Sequence, residues 1–147
     1  MARIDYYAIE EAIATQLRAA ATLVGVTVDV EQEPDFAEGS KVVIYLIGRN
    51  APEEMQSLSA GLRTRYEITY VAVCMAQMLD LKGAMEARDD LIGNVETAIM
   101  TDRTFGGAVK SCWLMGGEFE NARNGDDGLF NAAGEIEIVV DATSIAT

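Results

Sequence analysis

The chain has 147 residues, half of them hydrophobic, with 24 acidic residues against 11 basic ones and no histidine. That length is most simply one domain, residues 1–147, able to bury a core without disulfides or metal. The formal net charge of −13 repels nucleic-acid phosphate and anionic membranes, which argues against sequence-specific nucleic-acid binding and against a membrane partner.

The N-terminus, "MARIDYYAIEEAIA", carries acids where a signal peptide needs an apolar core, so no export signal is read there. From Asp5 to about Val24 the pattern is helical. Tyr6, Ile9, Ile13, Leu17, Ala20 and Val24 fall at spacings of three and four and form one apolar stripe. Asp5 suits the N-cap, Ile4 and Ile9 suit a hydrophobic staple, and Gly25 ends the helix. "VTVDVEQ" (Val26 to Gln32) alternates like a half-buried strand. "EPDFAEGS" is a loop by its Pro34 and Gly39.

"KVVIYLIG" (Lys41 to Gly48) is apolar on both faces and reads as a central strand. Its longest apolar run, Val42 to Ile47, is far below the ~20 residues a membrane-crossing helix needs. "RNAPEEMQSLSAG" is a long connection. "LRTRYEITYVAVCMA" (Leu62 to Ala76) is the clearest strand. One face carries Leu62, Tyr66, Ile68, Tyr70, Ala72 and Cys74; the other carries Arg63, Arg65, Glu67, Thr69, Val71 and Val73. That second face starts charged and ends apolar, so one end of the strand should project beyond the core.

A second helix is expected from roughly Ala84 to Met100, with Met85, Ile92, Val95 and Ile99 inward and Leu91 and Ala98 beside them. "GGAVKSCWLMGG" and "LFNAAGEIEIVVDA" give two further strands. In the latter, Ile136, Ile138 and Val140 oppose Glu135 and Glu137. The order α-β-β-β-α-β-β implies an α+β fold, a mainly antiparallel or mixed sheet with two helices packed on one face.

Familiar catalytic chemistry is missing. Without histidine there is no Ser-His-Asp or Cys-His arrangement, and no GxSxG, Walker A or GxGxxG pattern occurs. Cys74 and Cys112 lie far apart in apolar strands and read as buried free thiols. "ENARNGDDG" departs from an EF-hand, because Arg123 and Asn124 break the alternation of oxygen ligands and no distal glutamate follows. Asn124-Gly125 and Asp127-Gly128 read as turns instead. Neither metal nor cofactor is expected.

Asp89 and Asp90 are adjacent on a helix and read as a solvated face; a carboxylate-dependent hydrolase built on Asp89 or Glu135 is the enzymatic alternative. Glu135 and Glu137 are expected to pair with Arg63 or Arg65, across strands or across a subunit boundary. Trp113 suits core packing first and an interface second.

Five segments together carry a resemblance: the helix "YYAIEEAIATQL", the strand "RTRYEITYVAVCMA", the helix "ARDDLIGNVETAI", then "GGAVKSCWLMGGEFE" and "GLFNAAGEIEIVVDA". In this order, over nearly the whole chain, they resemble phage tail terminator, or tail completion, proteins. Related neck and tail-to-head joining proteins share the pattern. The resemblance implies a non-enzymatic virion protein, assembled in the bacterial host cytoplasm and located at the head-proximal end of the tail.

Such proteins form a ring, typically a hexamer, on the last ring of the tail tube. The ring stops polymerisation and meets the head connector. Its partners would be itself, the tail tube protein and the connector or neck proteins, with DNA passing through the lumen. A cyclic assembly needs two different faces that close on each other. Candidate contacts are Arg63, Arg65 and Glu67 on the projecting strand. Glu118, Glu120, Arg123, Asp126 and Asp127 in the loop from Glu118 to Gly128 are others, with Glu135 and Glu137 beside them and a third loop at Pro52 to Ser59. A solvated surface is the alternative for each.

Overall fold

Two strands of 16 residues each, β3 (Arg63–Met78) and β6 (Phe130–Ile145), form the middle of the sheet. They pair antiparallel over their whole length, from Arg63 opposite Ile145 to Met78 opposite Phe130, without a register shift. The architecture is that of a computed structural model, which describes residues 4–32, 39–51, 63–124 and 128–145. The other elements in chain order are α1 (Tyr6–Ala19), a 3-10 turn (Ala21–Leu23), β1 (Thr27–Val30), β2 (Gly39–Asn50), α2 (Leu81–Thr101), β4 (Ser111–Met115) and β5 (Phe119–Asn124).

The sheet runs β1-β2-β3-β6-β4, with β5 also on β6. Only the β1–β2 pair is parallel. This is the expected α+β order with one strand added.

The helices cover one face. Ile68, Tyr70, Ala72 and Cys74 of β3 and Ile136, Ile138 and Val140 of β6 meet Ile9, Ile13 and Leu17 of α1 and Leu91, Val95 and Ile99 of α2 in one core. Period-two alternation sends the odd-numbered residues of β3 and β6 to the other face. A smaller cluster lies there: Val43, Val71, Val73, Met75 and Ala133, with Tyr45 against it.

The Asp5 carboxylate caps α1, accepting from the Ala8 amide at 3.0 Å. The helix stops earlier than the apolar stripe suggests. Ala20 is extended, and a tighter 3-10 turn follows before Gly25, whose φ is +85°. Three residues per turn rotate the inward position by one residue. Leu23 is therefore buried, while Val24 is 81% exposed. Gln16 fixes the helix pair, its amide nitrogen donating to the carbonyls of Ala98, Ile99 and Asp102 at 2.9–3.1 Å at the end of α2. On α2, Met85 is 40% exposed and Ala84 takes the inward place expected for it.

The segment after Met115 differs most from expectation. β4 pairs with the C-terminal half of β6 and β5 with its N-terminal half. Between them the Gly116 and Glu118 carbonyls accept from the Glu137 and Glu135 amides at 3.3 and 2.9 Å. Residues 111–124 thus track β6 as one interrupted edge strand. β5 takes up Phe119–Asn124 of the connection expected to span Glu118 to Gly128.

Gly117 permits that passage. A Cβ there would lie 1.9 Å from the Glu135 carbonyl oxygen, whereas one on Gly116 would meet nothing within 4 Å. Gly117→Ala is therefore expected to push the edge off β6 and cost about 1–3 kcal/mol. Gly116→Ala should stay within about 0.5 kcal/mol of wild type. Urea denaturation of the two variants checks the contrast, and equal stabilities would refute it.

Candidate subunit interface

The projecting end expected of β3 is present. β2 ends with Asn50 opposite Glu67, and β4 begins with Ser111 opposite Asp141. Beyond those points, residues 63–66 pair with 142–145 as a two-stranded ribbon among the described residues.

Its base is an ion pair. Arg65 Nε donates to both carboxylate oxygens of Asp141, at 2.7 and 2.8 Å, and Nη2 also bonds Oδ2. The Asp141 side chain is 5% exposed. Glu67 stands directly across from Asp141, a like-charge pairing that Arg65 offsets. The Asp141 carboxylate in turn raises the Arg65 pKa by its hydrogen bond and charge.

Glu135 and Glu137 do not pair with Arg63 or Arg65 within the protomer. They stand opposite Val73 and Val71, whereas Arg65 stands opposite Thr143. Six residues of strand separate Arg65 from Val71, roughly 20 Å at ~3.3 Å per residue. The two glutamates instead join Glu118 and Glu120, so four expected contact residues share one acidic patch on the helix-free face. Burial raises the Glu135 pKa first, and the charges of Glu118, Glu120 and Glu137 raise it further. Asp126, Asp127 and the Pro52–Ser59 loop lie outside the described residues, as do the side chains of Arg63 and Arg123.

On the opposite flank, β1 pairs only with Lys41 to Ile44 of β2, leaving the outer edge of β2 from Tyr45 onward without a strand among the described residues. Glu31 takes over there: its carboxylate accepts from the Leu46 amide at 3.1 Å. A register shift between Leu46 and Gly48 makes Ile47 the bulged residue, 54% exposed. Arg49 follows, its guanidinium 4.5 Å from the Tyr66 ring centroid and 5.8 Å from that of Tyr6, and it donates to the Tyr6 hydroxyl. Tyr6, Leu46, Gly48 and Arg49 line a cavity of about 290 Å³.

No sequence pattern marks this flank, because "RN" opens what reads as a connection. The arginine directly after an apolar strand was the available signal.

Behind Leu46 lies a buried acid. Glu10 on α1 is 2% exposed, and its Oε1 has no hydrogen-bond partner. Burial, then a hydrogen bond and charge from Glu31, then the charge of Glu11, push its carboxyl from 4.5 up to about 8. No amphipathic pattern announces it, because Glu10 and Glu11 read alike in sequence.

Both cysteines are buried free thiols. Burial pushes the Cys74 thiol up to about 12 and raises that of Cys112 as well. Among the described residues no three potential ligands gather to hold a metal. Asp89 and Asp90 are exposed, and Arg88 Nε bonds Asp89 at 3.0 Å. Trp113 is half-buried on the helix-free side of β4, opposite Val139.

No family model matches the chain, and no curated protein matches it. Among solved structures it is similar to the sheath/tube terminator, in the extended state, of the extracellular contractile injection system PVC. That alignment has a TM-score of 0.47 and 10% identity over 97% of this chain and 57% of that one. It is also similar to a chain in the virion of a native gene transfer agent particle. There the TM-score is 0.39 and the identity 15%, over 91% of this chain and 95% of that one. The chain thus spans 57% of the length of the terminator chain it aligns with.

The raised Glu10 carboxyl ties stability to pH. The folded state keeps a proton that the unfolded state releases above about 4.5. Its contribution is fully present below that value, declines as pH rises through the window up to about 8, and is gone above it. The slope inside the window reaches at most about 1.4 kcal/mol per pH unit. Thermal unfolding across this range should show wild type losing Tm relative to Glu10→Gln as pH rises. Parallel profiles would refute the assignment.

Proposed function

We propose that this chain is a structural subunit of a tailed-phage-type particle. In this reading it forms a ring, a hexamer, that caps the head-proximal end of the tail tube, ends tube polymerisation and presents the surface that joins the head connector. The observation that carries the reading is the pair of unlike sheet flanks. One is the β2 edge with Arg49, open among the described residues; the other is the β4–β5 edge with its acids. They lie on opposite sides of a rigid ladder of two 16-residue strands.

A closed ring needs such a pair, because each subunit offers one patch to the neighbour before it and a different patch to the neighbour after it. The order of elements that resembles tail terminator proteins supports the same assignment. The two-stranded ribbon at Arg65 and Asp141 extends past both flanking strands and can reach an axial neighbour, either tube or connector. The acidic helix-free face suits a lumen that conducts DNA, since carboxylates repel phosphate and do not retain it.

The test is assembly and tail length. Light scattering should find a species several times the 15.8 kDa protomer, alone or with tail tube protein. Loss of the gene should give overlong tails without heads. A strictly monomeric protein whose loss leaves tail length normal would overturn the reading. A ring that microscopy places elsewhere in the neck or tube would reassign it to another component of similar fold.

A further inference from the structure

We propose that Glu31 is a latch on the β2 edge, and that it lets go of the Leu46 amide when the buried Glu10 beside it loses its proton.

The parts of the latch meet at one point. Glu31 follows the last residue of β1. Its amide donates to the Ile44 carbonyl at 2.8 Å, and its carboxylate accepts from the Leu46 amide at 3.1 Å. Its backbone is left-handed, with φ +51°. That conformation is strained for a residue with a Cβ and persists only where surrounding contacts hold it. Glu10 reaches the same point from α1. It is 2% exposed, it shares a hydrogen bond with Glu31, and its Oε1 is left without a partner. The Leu46 N–H therefore lies between two carboxyls, and its attraction for Glu10 favours the charged form of that group.

While Glu10 keeps its proton it donates to Glu31, and Glu31 accepts from Leu46. Once the proton passes to solvent, two carboxylates face each other where burial has removed most of the water, and they repel. Glu10 is fixed on the buried face of its helix and cannot withdraw. Glu31 is exposed, and on leaving it relaxes its left-handed backbone. The Leu46 amide then passes to Glu10, whose free oxygen accepts from it. Water entering behind Glu31 hydrates the new charge.

The surrounding groups leave Glu31 as the one that moves. Besides Glu31, the charge facing Glu10 is that of Glu11 on its own helix, and both oppose ionisation. Two tyrosines also feel Glu10. Burial first and nearby acids next raise the Tyr70 pKa on β3, and a hydrogen bond to Glu11 raises that of Tyr7, so both stay neutral. Arg18 pairs with Glu11, and Arg49 on β2 turns to the Tyr6 hydroxyl. Among the described residues no basic side chain forms an ion pair with Glu10 or Glu31.

The test is an NMR titration of the isotope-labelled chain from about pH 4.5 to well above 8. The Glu10 carboxyl shift should titrate near 8. The Leu46 amide shift should change with the same midpoint, and the heteronuclear NOE of Glu31 should fall with it. Glu10→Gln cannot ionise and should keep Glu31 ordered over the whole range. Glu31→Gln removes the like charge and should move the Glu10 midpoint downward. A Glu31 that stays ordered while Glu10 titrates would overturn the latch. So would the same loss of order in Glu10→Gln, or an unmoved Glu10 midpoint in Glu31→Gln. The wild-type titration alone decides the matter if either variant folds poorly.

Discussion

The β3–β6 ladder is the constraint on which the other arrangements depend. Sixteen consecutive pairs without a slip determine, at period two, which side chains face the helices and which face away. A shift by one residue would turn Ile68, Tyr70 and Cys74 outward and bring Thr69, Val71 and Val73 under the helices. The ladder is also longer than the helical layer above it. Its central part is buried on both sides, and one end continues as the ribbon at Arg65 and Asp141. A core and a projecting arm therefore come from one pair of strands, and the arm inherits the rigidity of the core.

Polar groups at the margins of that core lock the layers together. Tyr70 is fully buried, and its hydroxyl donates to the Tyr6 carbonyl at 2.8 Å, joining the central strand to the first turn of α1. Arg18 reaches from the last turn of α1 to the Val28 carbonyl at 2.7 and 3.1 Å. Glu31 continues the work of β1 by accepting from Leu46 where that strand has ended. Glu10 behind it is tolerated because burial and a second carboxyl keep it protonated, so no uncompensated charge sits in the core. The flank that carries Arg49 is consequently preorganised from behind.

Much of this was legible in the sequence. The stripe of α1, the alternation of β3 and β6 and the α+β order follow from apolar periodicity, which reflects burial directly. The misses have physical causes. Val24 fits a helical period of 3.6, but a 3-10 turn shifts the phase just before it. β5 reads as loop because "FENARN" lacks the β-branched residues of a buried strand. An edge strand packed on one side only does not need them.

Arg49 and Glu10 were missed for a different reason. Their roles come from neighbours far along the chain, Tyr66 in one case and Glu31 in the other, and a one-dimensional pattern does not contain those distances. The acidic patch is half legible: its members are visible as candidate contacts, but the register places them together and away from Arg65.

Charge then limits how such a chain can meet itself. With a formal charge of −13, any contact that brings two acidic surfaces together is opposed. Screening over about 8 Å at physiological salt confines that opposition to groups at or near the contact. The constraint is local, and it falls on the supply of cations. Several of the basic residues are committed within the protomer: Arg18 to Val28 and Glu11, Lys41 to Asp29, Arg65 to Asp141, Lys82 to Glu86, Arg88 to Asp89, and Arg103 to the Cys112 carbonyl. Arg49 is held instead by tyrosines, its guanidinium over the Tyr66 and Tyr6 rings and donating to the Tyr6 hydroxyl. The β2 flank therefore carries a tyrosine-held cation with the Glu31 carboxylate close by at Leu46, a mixed surface rather than a purely acidic one.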